Sequence, residues 1–68
     1  MLFHELLRHA RKEMGLSVYE VAVRTGISDT QIGNYESGKH RPPLERLEKL
    51  CGLYELDFEN VAEEYGFE

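Results

Sequence analysis

Glycine stands at positions 15, 26 and 38, and each closes a run whose apolar residues recur at helical spacing. Glycine reaches a positive φ at little cost, so it is the residue that ends a helix. The first part of the chain is thereby cut into three short helices. Leu2, Phe3, Leu6, Leu7, Ala10 and Met14 form the apolar stripe of the first. Val18, Val21 and Ala22 form that of the second, and Ile32 with Tyr35 that of the third. Ser17 and Glu20 have the spacing of a capping box at the start of the second helix, and Ser28 is placed to cap the third. Ile27 is expected to plug the turn between them.

The segment Lys39-His40-Arg41-Pro42-Pro43 reads as a loop, because prolines lack an N–H and sit at helix edges. Leu44, Leu47, Leu50, Cys51 and Tyr54 then trace a fourth helix. Gly52 falls on its polar side and weakens it by roughly 1 kcal/mol relative to alanine. Asp57 is placed to cap a fifth, with Phe58, Val61, Ala62 and Tyr65 as its stripe. None of these helices can bury its stripe alone. The expected fold is a single all-α domain over residues 1–68, built from five helices.

Composition excludes several classes. One cysteine cannot form an internal disulfide, and Cys51 at an apolar helix position is read as a small buried hydrophobe. His4, His9 and His40 with that cysteine make no metal-ligand spacing. His4 and His9 do not share a helix face well. No nucleophile–base pair or phosphate loop is present, since Gly33 and Gly38 do not form one. An enzyme is not expected, nor is a cofactor. Leu2 to Leu7 is too short for a signal peptide and is broken by His4 and Glu5, and nothing approaches a membrane span. A cytoplasmic, reducing compartment is the expectation.

The second and third helices and the glycine turn between them make a helix-turn-helix. The stretch "GLSVYEVAVRTGISDTQIGNYESGK" resembles that of the phage repressors and Cro/C1-type regulators, the XRE family. The matching positions are Gly15-Leu16-Ser17, Val21-Ala22, Gly26-Ile27-Ser28, Ile32 and Glu36-Ser37-Gly38-Lys39. Arg11 lies four residues before Gly15, as the family's arginine does, and "LEKLCGLYELDFENVA" follows the family's last two helices. The resemblance implies a lambda-repressor-like five-helix domain with its helix-turn-helix over residues 17–37. It also implies sequence-specific binding of double-stranded DNA.

With Ile32 and Tyr35 turned inward, Asp29, Thr30, Gln31, Gly33 and Asn34 are expected to face solvent. Gln and Asn can bond adenine through two hydrogen bonds, and Thr can meet a base edge or a thymine methyl. The resemblance places Thr30, Gln31 and Asn34 at base-reading positions, with Asp29 facing the same way. It places Ser17 and Lys39 at phosphates, and Arg11 against Glu36 in a partly buried bridge between the first and third helices. The other reading of Thr30, Gln31 and Asn34 is that they solvate an exposed helix. Two residues depart from the family's pattern. Val18 stands where many relatives carry a polar phosphate contact. Asp29 puts a carboxylate near phosphates, where it either accepts from cytosine or stabilises the helix N-terminus.

The formal charge of −5 is unevenly divided. Residues 1–43 hold six cationic and five acidic side chains, a balance of +1; residues 44–68 hold two and eight, a balance of −6. A mildly basic face toward DNA and an acidic face away from it are expected, with few phosphate contacts per copy. The simplest function is a small repressor that binds a palindromic operator as a homodimer. No ligand-binding domain is expected within these residues, so control would come from concentration, proteolysis or a partner. Tyr54, Phe58 and Phe67 are candidates for the dimer contact. The alternative is a protein-interaction module of the same fold, an antirepressor or antitoxin, that engages a basic protein partner through the acidic C-terminal half.

Overall fold

The structure, a computed structural model, describes residues 1–66. Five helices follow one another: α1 (Phe3–Glu13), α2 (Val18–Thr25), α3 (Asp29–Ser37), α4 (Leu44–Tyr54) and α5 (Phe58–Gly66). No strand forms among the described residues. The all-α expectation holds, and the element order is the one read from the glycines and caps.

Local chemistry sets the boundaries. At α1 the Glu5 carboxylate accepts from the Leu2 N–H, 3.0 Å away, which satisfies one donor ahead of the first turn. Gly15 then turns the chain at φ 71°. At α2 the Ser17 hydroxyl accepts from the Glu20 N–H at 3.0 Å, and Glu20 accepts from the Ser17 N–H at 2.9 Å. The two bonds form the reciprocal capping box. Receiving that N–H bond, and a bond from the Ser17 hydroxyl, holds the Glu20 carboxyl below its ordinary range. Gly26 ends α2 at φ 78°. At α3 the Ser28 hydroxyl accepts from the Gln31 N–H at 3.1 Å. Gly38 ends that helix at φ 83°, with the His4 ring packed so close that an added Cβ would lie 3.0 Å from it. Pro43 precedes α4 and Pro42 is fully buried behind it. The Asp57 carboxylate accepts from the Glu59 N–H at 3.0 Å in the first turn of α5.

The helices pack around one core. Every helix contributes: Phe3, Leu7 and Ala10 from α1, Val21 from α2, Ile32 and Tyr35 from α3, Leu47, Leu50, Cys51 and Tyr54 from α4, and Val61 from α5. Leu16 and Ile27 fill the same core from the turns on either side of α2. Each large apolar side chain taken fully from water contributes on the order of 1.5–3 kcal/mol. α1 lies against α3 and α5, while α2 lies against α3 and α4. Burial pushes the Cys51 thiol up, in keeping with its place as a small core hydrophobe.

Three stripe residues are corrected by the structure. Leu2, Met14 and Leu44 are exposed, because Leu2 and Met14 flank α1 and Leu44 opens α4, where the chain leaves the core. Tyr54 is also corrected as a candidate dimer contact, since it is buried inside the domain. Phe58 is half-buried and packs against the core. Phe67 lies outside the described residues.

Burial raises the Tyr54 hydroxyl well above the ordinary tyrosine range, with the Glu36 charge adding to the shift and Arg11 opposing it. The folded state therefore favours neutral Tyr54. Its contribution is fully present below the unfolded value of about 10 and is lost as pH rises beyond it. Denaturant titrations should show stability falling above about pH 10, and Tyr54→Phe should flatten that alkaline fall. Equal alkaline slopes for both proteins would contradict this.

Candidate nucleic-acid interface

The two faces of α3 differ sharply. Ile32 and Tyr35 anchor it in the core, and the Tyr35 hydroxyl accepts from Arg46 of α4 at 2.8 Å. Glu36 is the one charged side chain buried among the described residues, and it faces α1. Arg11 donates to both of its oxygens, Nε to Oε2 at 2.8 Å and Nη2 to Oε1 at 3.0 Å. Its remaining nitrogen, Nη1, donates to the Leu16 carbonyl at 2.9 Å. The hydrogen bonds to Glu36 hold the Arg11 guanidinium above its ordinary range. One arginine thus ties α3 and the α1–α2 turn to α1, which fixes how α3 stands out from the domain.

The opposite side of α3 is open. Asp29, Thr30, Gly33 and Ser37 are exposed, and Asn34 is half-buried beside them. Gln31 is also half-buried, on the flank nearer the core-facing residues. Thr30, Gly33, Asn34 and Ser37 follow one another at helical steps along a single side. The Asp29 carboxylate bends back and accepts from the Thr30 N–H at 2.8 Å, so one of its oxygens is engaged at the helix N-terminus.

The flanking groups are shaped by the caps. Ser17 is exposed; its oxygen accepts from the Glu20 N–H, and its hydroxyl also bonds the Glu20 carboxylate. Its N–H is taken by the Glu20 carboxylate. Val18 is half-buried and offers no polar atom. Lys39 is exposed just past Gly38, and its N–H is held by the Ser37 hydroxyl at 3.4 Å. The His40 N–H donates to the Asn34 carbonyl at 3.2 Å, which fixes the start of the loop. The far end of that loop is fastened by Arg41, which donates to the Tyr65 carbonyl and lies 4.2 Å from that ring's centre.

Ser37 and Arg8 were not singled out from the sequence. Ser37 could have been found, since it lies two helical turns beyond Thr30. Arg8 could not, because its position beside α3 is set by the packing of two helices.

A helix-turn-helix family model matches residues 7–60, from the middle of α1 into α5. The chain belongs to the XRE-type helix-turn-helix family. Members of the family carry the DNA-binding domain of transcription regulators. Among XRE-type relatives, the chain is 30% identical over 60 residues to a Bacillus subtilis protein named as the HTH-type transcriptional regulator YobD. It is 43% identical over 49 residues to proteins of Saccharolobus islandicus and Saccharolobus solfataricus named as HTH-type transcriptional regulatory proteins. These alignments cover 88% and 72% of this chain. They cover 54% of YobD and 16% of the archaeal proteins, so the XRE-type domain here matches only part of each relative. No described helix is long and apolar enough to cross a membrane, and no described cluster of His, Cys, Asp and Glu could hold a metal.

Proposed function

We propose that the chain is a cytoplasmic, sequence-specific DNA-binding regulator that seats α3 in the major groove. What supports this reading is the polar, uncovered side of α3, held outward by the buried Arg11–Glu36 pair. A helix of this kind lies in the major groove and meets base edges through its exposed side chains, those near its N-terminus first. Asp29, Thr30, Gln31 and Asn34 are the base-reading residues of this proposal. Asn34 has the two-point geometry for adenine, and Thr30 can meet a thymine methyl or donate. Ser17, at the start of α2, and Lys39, on the loop after α3, contact phosphates. The regulator acts most simply as a repressor that occupies a palindromic operator as a homodimer, two copies of α3 lying about 34–36 Å apart.

The test is selection of random duplex DNA by the full chain, followed by single substitutions on the selected site. A palindrome with half-sites about one helical turn apart is the expected product. Asn34→Ala should then cost roughly 1–3 kcal/mol on that site and relax selection at one base pair. Lys39→Ala should weaken all duplexes alike. Retained base preference in Asn34→Ala would remove that residue from the reading set.

The acidic half of the chain and the Glu20 carboxylate at the start of α2 favour a second reading. In it the fold engages a basic protein partner and DNA binding is weak or lost. No enrichment of any duplex, even at low salt, would decide for that reading.

A further inference from the structure

Two open clefts adjoin along the side of α3 that faces α1, and Arg8, Glu36 and Ser37 line both. The larger, about 390 Å3, runs along α1 and is lined by Lys12, His4 and His9 as well. The smaller reaches Val18 at the start of α2 and Gly33 on the open side of α3.

Across the two clefts three cations, Arg8, Arg11 and Lys12, stand against two carboxylates, Glu5 and Glu36. Glu36 gives both oxygens to Arg11, and Glu5 gives one to the Leu2 N–H. His9 lies 3.5 Å from Glu13. Among the described residues Arg11–Glu36 is the ion pair, with His9 beside Glu13, so neither Arg8 nor Lys12 has a carboxylate within ion-pair distance. Both are exposed and stand one helical turn apart on α1. Two cations without an ion-pair partner therefore flank the C-terminal half of the open side of α3, against the single unpaired carboxylate of Glu5. The apolar Val18 offers nothing polar on that flank.

We propose that Arg8 and Lys12 form a phosphate seat, taking the phosphodiester backbone that borders the groove entered by α3. Ser37 lines the same cleft, but its hydroxyl hydrogen is given to the Asn34 carbonyl at 3.2 Å, so the seat rests on the two cations. The proposal rests on the DNA-binding reading above and adds two contacts from α1 to those of Ser17 and Lys39. The contacts are to backbone, so they set affinity and its salt dependence and carry no sequence preference.

The experiment measures the affinity of the full chain for its selected duplex, and for a scrambled one, between about 50 and about 200 mM salt. Each lost phosphate contact lowers the log–log salt slope by about 0.9. Over that range the unaltered chain should lose roughly 3.5-fold more affinity than Arg8→Gln. The double change Arg8→Gln with Lys12→Gln should lose about two units of slope on both duplexes. Arg8→Lys should retain the slope, and Lys49→Gln on α4, outside both clefts, should leave it unchanged. Melting curves check that each variant folds. An unaltered slope in the double variant, with DNA binding intact, overturns this inference alone. Absence of duplex binding by the unaltered chain overturns it together with the DNA-binding reading. A third arm compares melting in inorganic phosphate and in chloride at equal ionic strength. If free phosphate protects the unaltered chain but not the double variant, while their DNA slopes agree, the seat serves a free anion and the proposal fails.

Discussion

Arg11→Ala is expected to destabilise the domain by about 3–5 kcal/mol, enough to leave a chain of this size largely unfolded at body temperature. The size of the effect comes from what is left behind. Glu36 is 8% exposed, and both of its oxygens rely on Arg11. Without the guanidinium, a carboxylate stays in the interior with no countercharge, and the Leu16 carbonyl also loses its donor. The measurement is thermal unfolding followed by circular dichroism. Arg11→Lys should recover only part of the loss, because a single ammonium cannot reproduce two parallel bonds. Replacing both partners by apolar residues of similar volume, Arg11→Met with Glu36→Leu, should be far milder than either single change. A melting temperature unchanged by Arg11→Ala would show that the pair does not hold α1 to α3.

Ile32→Ala should cost about 2–5 kcal/mol, the range for truncating a fully buried aliphatic side chain. Ile32 is 1% exposed and lies on α3 between Gln31 and Gly33. It is the core-facing counterpart of the residues proposed to read bases. Thr30→Ala, two positions away and exposed, should leave the unfolding free energy within about 0.5 kcal/mol of the unaltered chain. The pair separates anchoring from recognition on one short helix. Ile32→Ala should lose DNA affinity only in proportion to its unfolded fraction. Thr30→Ala should lose site preference while remaining folded. Equal stability losses from the two changes would mean that α3 is not divided into an inner and an outer side.

What could be read from the sequence was local. Gly15, Gly26 and Gly38 end helices through their own backbone freedom, and each is found at positive φ. Ser17, Ser28 and Asp57 act within three residues of themselves. Such signals need no knowledge of the packing. Leu2, Met14 and Leu44 defeated the stripe reading because periodicity marks a helix face but not where the neighbouring helix stops. Tyr54 seemed available to a second copy because an aromatic near an acidic tail looks the same whether it is buried or exposed. Arg11 and Glu36 are separated by 25 residues, and only the family resemblance drew them together. Arg8 had no signal at all. Its meaning depends on Ser37 and Val18 lying across the cleft, which is a property of assembled helices.

The Arg41 clamp has a consequence for how the domain breathes. Arg41 lies against Tyr65 and within 5.9 Å of the Phe3 ring, and Phe3 and Tyr65 meet edge to face at 5.2 Å. The first helix, the last helix and the loop that carries Lys39 are thus stitched at one point. Opening of α5 cannot remain a local event, because it releases the loop beyond α3 at the same moment. Slow amide exchange in α3 and α5 should therefore share one opening free energy, with the two helices behaving as a single cooperative unit. A ligand that grips Lys39 would then protect amides at the far end of the chain without touching them.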